Sequence, residues 1–192
     1  MKPLKLLVTV NADYDTSYSD FVGYWKEQYS YPNSHWYYDN INLTKYNHHN
    51  ICDLFCWKNG MNLSHPKQLV VNSIALKLDF VNQLKQQYDE DFFVREFGYL
   101  SAIWQVFLRH IIQPAQFPIF DQHVYRAFRY LQRQEKDEIP NNKVLKLKIY
   151  FEQYLAFYLD MEENTELFTG KEIDDALWAF GKFLGNHPKM FL

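Results

Sequence analysis

Two cysteines, six glycines and seven prolines are all that 192 residues contain of those types. Paired CxxC knuckles for a structural zinc ion are absent, and two thiols are too few for a four-cysteine iron–sulfur cluster. No Gly/Ser linker, low-complexity tract or internal repeat divides the chain, so residues 1–192 read as a single domain. No apolar run reaches the roughly 18 residues a membrane-crossing helix needs. The phosphate-cradling GxxxxGK[ST] loop, GxGxxG, HExxH and GxSxG are missing, which removes the standard nucleotide, zinc-protease and serine-hydrolase signatures. No charge of one sign dominates. The net charge of −3 and pI near 6.1 argue against a uniformly basic nucleic-acid surface while leaving room for a local basic face. The stretch Lys2–Val10 is too short for a signal peptide and lacks a small-residue cleavage site, so a cytoplasmic location is the expectation.

Large rings are present in abundance. Phe, Tyr and Trp make up 19% of the chain, within a hydrophobic total of 47% and a charged total of 22%. That balance points to a globular core built from aromatic side chains, the alternative reading being that some rings are exposed and stack on a base or a ligand ring. The apolar spacing is helical almost throughout. It predicts helices over 19–29 with Ser19 as N-cap and over 51–59 stopped by Gly60. A long helix from Ser64 to about Tyr88 carries Leu76, Phe80 and Leu84 as a stripe. Further helices are expected over 91–97, over 102–112 capped by Ser101, and over about 122–134. Residues 144–160 carry a stripe from Val144 to Tyr158, and a last helix covers about 171–184. Tyr31–His48 reads as a packed loop, and residues 4–10 as a lone strand candidate. The fold class is therefore all-α, a bundle of about seven or eight helices.

Three segments outside these stripes carry polar residues in patterns with more than one meaning. His49, Cys52 and Cys56 have helical spacing suited to three metal ligands, but no fourth suggests itself, so buried thiols and no metal site are expected. Trp57-Lys58-Asn59-Gly60 reads as a helix end, with Gly at C′ and Lys beside the last carbonyls. In the stretch from Asp174 to Phe183, Glu172, Asp174 and Asp175 suit a helix first turn and Lys182 its last, which makes an amphipathic docking helix.

The strongest chemical signal is Phe117-Pro118-Ile119-Phe120-Asp121-Gln122-His123-Val124-Tyr125-Arg126, continuing through Arg129 to Leu131. A single carboxylate follows an apolar run and opens a helix that carries arginines. Asp121 has two readings. It is a plain N-cap, or it is a reactive carboxylate held as the anion by the helix dipole. His123, Arg126 and Arg129 accompany it as polar neighbours on a solvated or salt-bridged face, or as binding groups.

Residues 92–131 resemble the helix-hairpin-helix DNA glycosylases. Phe92–Phe97, the turn Gly98-Tyr99-Leu100, helix 102–112 and the extended 113–120 follow that family's order, and Asp121, His123, Val124 and Arg126 match its "Pro-apolar-Asp-x-His-Val-x-Arg" segment. The resemblance implies a helix-hairpin-helix and Asp segment over 91–134, closed over by residues 1–90 and 135–192, with a cleft that receives a flipped base. It implies Asp121 as the catalytic carboxylate, and DNA or substrate contacts from Gly98, Tyr99, Trp104, His123, Arg126 and Arg129. Ala102 and Ile103 occupy the places where bifunctional members carry a lysine, and no lysine lies between Lys85 and Lys136. The implied activity is therefore monofunctional hydrolysis of a base N-glycosidic bond in double-stranded DNA, without a cofactor. A carboxylate suits this reaction because positive charge builds on the sugar as the bond breaks. The alternative is a non-catalytic helical protein that binds DNA or a protein partner, with Asp121 only a cap.

Overall fold

Short capping motifs fix where most of the helices begin. In the computed structural model, which describes residues 16–132, 138–165 and 167–186, α1 (Tyr18–Lys26) starts from Ser17, whose Oγ accepts the Asp20 amide at 3.1 Å. The cap is thus two residues earlier than Ser19, because Ser17 reaches an orphan amide of the first turn. A four-residue α2 (His35–Tyr38) breaks up the expected 31–48 loop. α3 (His48–Asn59) opens with a reciprocal Asn47–Asn50 capping box and stops at Gly60, whose φ of 70° suits glycine. The expected long helix is two, α4 (His65–Ala75) and α5 (Leu78–Gln86), and Leu76 at the break is 89% exposed rather than part of a core stripe.

Asp89 caps α6 (Glu90–Phe97), Ser101 caps α7 (Ala102–Ile112) and Asp121 caps α8 (Gln122–Leu131). From Asn142 a single run comprises α9 (Lys143–Ile149), a π-helical turn Tyr150–Tyr154 and α10 (Leu155–Glu163). Val144, placed on the core stripe by sequence, is 74% exposed. α11 (Gly170–Asn186) closes the described chain. The protein is all-helical, with ten helices when the 143–163 run counts once and no strand among the described residues. The strand candidate at 4–10 lies outside them.

Two hydrophobic cores form, and they do not divide the chain at 90 and 135. α1 packs with α8, α10 and α11, while α2 to α7 build the second core around Phe55, Phe93 and Phe107. The N-terminal helix has left its sequence neighbours because Phe21 and Trp25 fit against Phe180. α8 and α11 cross at very close range. A Cβ on Gly181 would lie 1.7 Å from the His123 carbonyl oxygen, so only glycine permits this approach.

Residues 117–120 form the seam. Phe117 and Phe120 enter the first core and Ile119 the second. This extended backbone has no strand partner, so buried side chains satisfy it. The His110 ring bonds the Phe117 carbonyl, Tyr150 donates to Pro118 and Tyr154 to Ile119, while the Ile119 amide donates to Asp174. The π turn aims both Tyr150 and Tyr154 at the seam. The next residue is Asp121.

Candidate functional site

Asp121 serves two partners at once. Its Oδ1 accepts the His123 and Val124 amides at 2.9 and 3.1 Å, which is the helix cap. Its Oδ2 accepts from Lys58 Nζ at 2.9 Å, and the lysine side chain is only 7% exposed. A cap needs no lysine. Burial pushes the Asp121 carboxyl up, but the Lys58 charge and hydrogen bond, with the Val124 amide, outweigh it and hold the group below its usual range. Asp121 is an anion at neutral pH.

Around this pair stand Tyr29, Tyr31, Trp57, Trp178, Ile119 and Val124, with a second lysine, Lys171, and two more acids, Asp174 and Asp175. Both lobes contribute, the second core through Trp57 and Lys58, the first through α8 and α11. The rings interlock. Tyr31 packs on Trp57 at 5.3 Å and on Trp178 at 5.1 Å, and Tyr29 meets Trp178 at 5.4 Å. The free volume left is about 20 Å³, little more than one water molecule occupies.

Two ammonium groups thus face three carboxyl groups. Lys58 pairs with Asp121 and Lys171 with Asp175. Asp174 is left over. It is 4% exposed, accepts the Ile119 amide at 3.3 Å through Oδ2, and has no partner for Oδ1 among the described residues. Burial pushes its carboxyl up to about 8 against the pull of Lys171, so it is largely protonated at neutral pH. The Trp57 indole N–H is likewise buried and without a partner there. Beside Lys58–Asp121 the pocket wall therefore holds an indole donor and a carboxyl oxygen, both unsatisfied. Buried polar atoms are seldom left so, and those that are call for a reason.

Lys171 is held in a cage of rings, 4.7 Å from the centre of Tyr29, 5.2 Å from Tyr37, 5.6 Å from Tyr38 and 5.7 Å from Trp57. Behind it His110 is fully buried and neutral, its pKa pushed down to about 3 by burial. Its Nδ1 faces the Phe117 carbonyl and so carries the proton, which leaves Nε2 to accept the Tyr37 hydroxyl at 2.7 Å.

The other residues singled out by sequence lie away from this wall. Gly98 and Tyr99 form the α6–α7 turn. The Gly98 carbonyl is bonded by Gln105 and Lys143, and the Tyr99 hydroxyl meets Ser73 at 2.8 Å. Gly98 has φ −60°, an ordinary helical value. Trp104 packs on Phe55 at 5.0 Å. His123 meets Trp178 edge-on at 5.1 Å, and its pKa is lowered by burial against the pull of Asp121. Arg126 binds Glu138 and approaches His123, while Arg129 lies over Tyr125. His49 pairs with Asp53, Cys52 faces His48, both cysteines are free, and no metal-binding cluster occurs among the described residues. No helix there is long and apolar enough to cross a membrane.

Sequence reading missed Lys58, Trp57, Asp174, Asp175 and Trp178 because each fits a local role, Trp57 and Lys58 as a helix end, the two acids as first-turn residues and Trp178 as part of an amphipathic face. Asp174 and Asp175 are in fact 4% and 8% exposed, and dipole compensation alone does not require burial. Their signal was two adjacent acids followed by Leu and Trp on an otherwise apolar helix face. Comparison with known protein families, with characterised proteins and with solved structures finds no match.

Proposed function

We propose that the protein cleaves the N-glycosidic bond of a base in double-stranded DNA by hydrolysis, with Asp121 as the catalytic carboxylate in a glycosylase-like frame. One observation carries this reading: an ionised, half-buried carboxylate paired with a lysine lies in a ring-lined pocket whose wall offers an unpartnered indole N–H and an unpartnered carboxyl oxygen. A heterocycle extruded from the helix meets those needs. It stacks on Tyr31 or Trp178 and pairs its edge with Trp57 Nε1 and Asp174 Oδ1. Asp121 then stands where charge develops on the sugar as the bond lengthens, and the Lys58 ammonium keeps it ionised until that moment. The pocket's one-water volume is the size of the nucleophile, and the base gains entry by outward rotation of the Tyr31 ring. The turn Gly98–Leu100, with Lys143 beside it, and the arginines of α8 are the proposed contacts to the DNA backbone.

A second reading is favoured by Lys58 itself. Lys58 of α3 lies 2.9 Å from Asp121, and as a free amine it would attack the sugar C1′, the base leaving with the glycosidic electron pair, after which the sugar ring C–O bond opens to give the imine. The test offers duplex DNA with a panel of damaged or modified bases and scores abasic sites, with borohydride present in parallel. Hydrolysis predicts abasic sites, no trapped adduct, and loss of activity in Asp121→Asn. A covalent adduct that Lys58→Met abolishes would replace hydrolysis by the amine route. Full activity in Asp121→Asn, or no product and no DNA binding at low salt, would leave the non-catalytic binding protein.

A further inference from the structure

Hydrogen-bond donors collect at one corner of the α8–α11 crossing. Because Gly185 has no Cβ, the Arg126 guanidinium lies against α11, where a Cβ would stand 2.6 Å from Nη1. Arg126 Nη1 also approaches His123 Nδ1 at 3.4 Å. A guanidinium only donates, so Nδ1 is the acceptor and the proton of the neutral imidazole is on Nε2. One turn before Gly185 the exposed Lys182 reaches over Trp178, its Nζ 4.7 Å from the ring centre, and His123 meets the same ring.

The corner is short of acceptors. Lys182 has no ion pair, and His123 Nε2 no hydrogen bond, with a described residue. Asp121 is nearby, but Lys58 and the His123 and Val124 amides engage its two oxygens. The carboxylate that reaches in is Glu138, whose Oε1 accepts from Arg126 Nη2 at 2.9 Å and from Nε at 3.2 Å. The Glu138 side chain is 71% exposed against 15% for Arg126. The cation is thus held by the fold and the anion only by the cation, and a pair with one exposed partner of this kind contributes about 1 kcal/mol or less. The His123 ring registers the imbalance. Burial lowers its pKa against the pull of Asp121, and the charges of Arg126, Lys182 and Lys58 lower it further. On a chain of net charge −3 this is a local excess of positive charge.

We propose that Arg126, Lys182 and His123 form a binding site for a phosphate group, and that the Glu138 carboxylate is an internal stand-in which the phosphate displaces. A phosphate offers more acceptor oxygens than the single one Glu138 supplies, enough for the guanidinium, the ammonium and the Nε2–H of His123 together. The planar guanidinium keeps its two-point contact when the carboxylate is exchanged for a phosphate. The inference goes beyond the contact from the α8 arginines by adding Lys182, His123 and the competing Glu138, and it does not rest on the chemistry at Asp121. The group comes either from a DNA backbone or from a free phosphate monoester.

Titration calorimetry of the intact protein at low, matched ionic strength tests this, with inorganic phosphate in one arm and a short duplex DNA in the other. Saturable binding is expected in at least one arm. In that arm Lys182→Gln weakens binding by about five- to tenfold and Glu138→Gln tightens it by about threefold or more. Both side chains are exposed, so folding is preserved, and the melting temperature verifies it. The paired response with DNA alone identifies a backbone phosphodiester, and with inorganic phosphate alone a free monoester. No saturable heat in either arm, Lys182→Gln without loss, or Glu138→Gln without gain would each overturn the assignment. A protein that shows the paired response but forms no abasic sites keeps this site and loses only the glycosidic reading.

Discussion

Gly181→Ala and Gly23→Ala make the same chemical change in the interior of two helices, and the structure gives them opposite signs. A Cβ at Gly23 in α1 would meet only the Phe168 ring, at 3.5 Å, an ordinary contact. Alanine there restricts the unfolded chain and improves helix propensity, which stabilises by roughly 0.5–1 kcal/mol. At Gly181 the same atom would lie 1.7 Å from the His123 carbonyl oxygen and 2.4 Å from its carbon, and backbone cannot rotate away. Helices α8 and α11 must part by about 1 Å or more, a gap at which packed atoms forfeit about a quarter to a half of their dispersion energy. Val124, Ala127 and Phe128 on one side and Leu177, Phe180 and Leu184 on the other are all buried in the core that contains this crossing. Overpacking costs about 1–3 kcal/mol, a backbone clash puts this site at the upper end of that range, about 3 kcal/mol, and the propensity gain recovers about 1, for a net loss of about 2 kcal/mol. In a chain of this size each kcal/mol moves Tm by about 2–4 °C. Calorimetric melting should therefore show Gly181→Ala lower by about 4–8 °C and Gly23→Ala higher by about 1–4 °C. Equal or raised stability in Gly181→Ala would refute the close crossing, and with it the positioning of Asp121 by the first turn of α8.

Three further outcomes follow from the buried charges. Lys58→Met and Asp121→Asn should each destabilise by roughly 1–3 kcal/mol, because each leaves its partner without a counterion, and the double variant should lose less than the sum; additive losses in denaturant titration would show the pair is not coupled. Asp174 gives a pH signature. Its carboxyl is raised to about 8 from an ordinary 3.8, so between those values the folded protein holds a proton that the unfolded chain has released, and stability falls as pH rises. His110, at about 3 against 6.5, gives the opposite slope but only below pH 6.5, which leaves the Asp174 slope of about 1.4 kcal/mol per pH unit visible from there to pH 8. Asp174→Asn should flatten that limb, and an unchanged limb would remove the buried acid from the explanation. Glu90→Ala should cost about 1–3 kcal/mol by stripping Arg109, 1% exposed and 3.8 Å over the Phe93 ring, of its carboxylate, with Tyr88 as a partial replacement.

Much of the helical skeleton was legible in the sequence because it depends on short-range physics. Gly60 as a left-handed stop, the Ser101 cap, the turn at 98–100 and the Asp121 cap each involve residues within four positions of one another, and each forms where the residue types place it. The errors are local competitions as well: Ser17 against Ser19, and a break at Leu76–Lys77 where apolar spacing alone continues the helix.

Which core a helix joins was not legible. The pairing of α1 with α11 depends on how Phe21, Trp25 and Phe180 fit, and spacing along either helix says nothing of its partner. The same limit governed the site. From the sequence alone Asp121 is a helix cap with a family resemblance, Lys58 a helix-end cation and Asp174 a first-turn acid. Only the tertiary structure brings Lys58 from 63 residues away to 2.9 Å from Asp121, and sets the unpaired Asp174 on the same wall. The reason is physical: a cap is satisfied within one helical turn, whereas an ion pair, an orphaned buried oxygen and a shifted pKa exist only once distant segments have excluded the water between them.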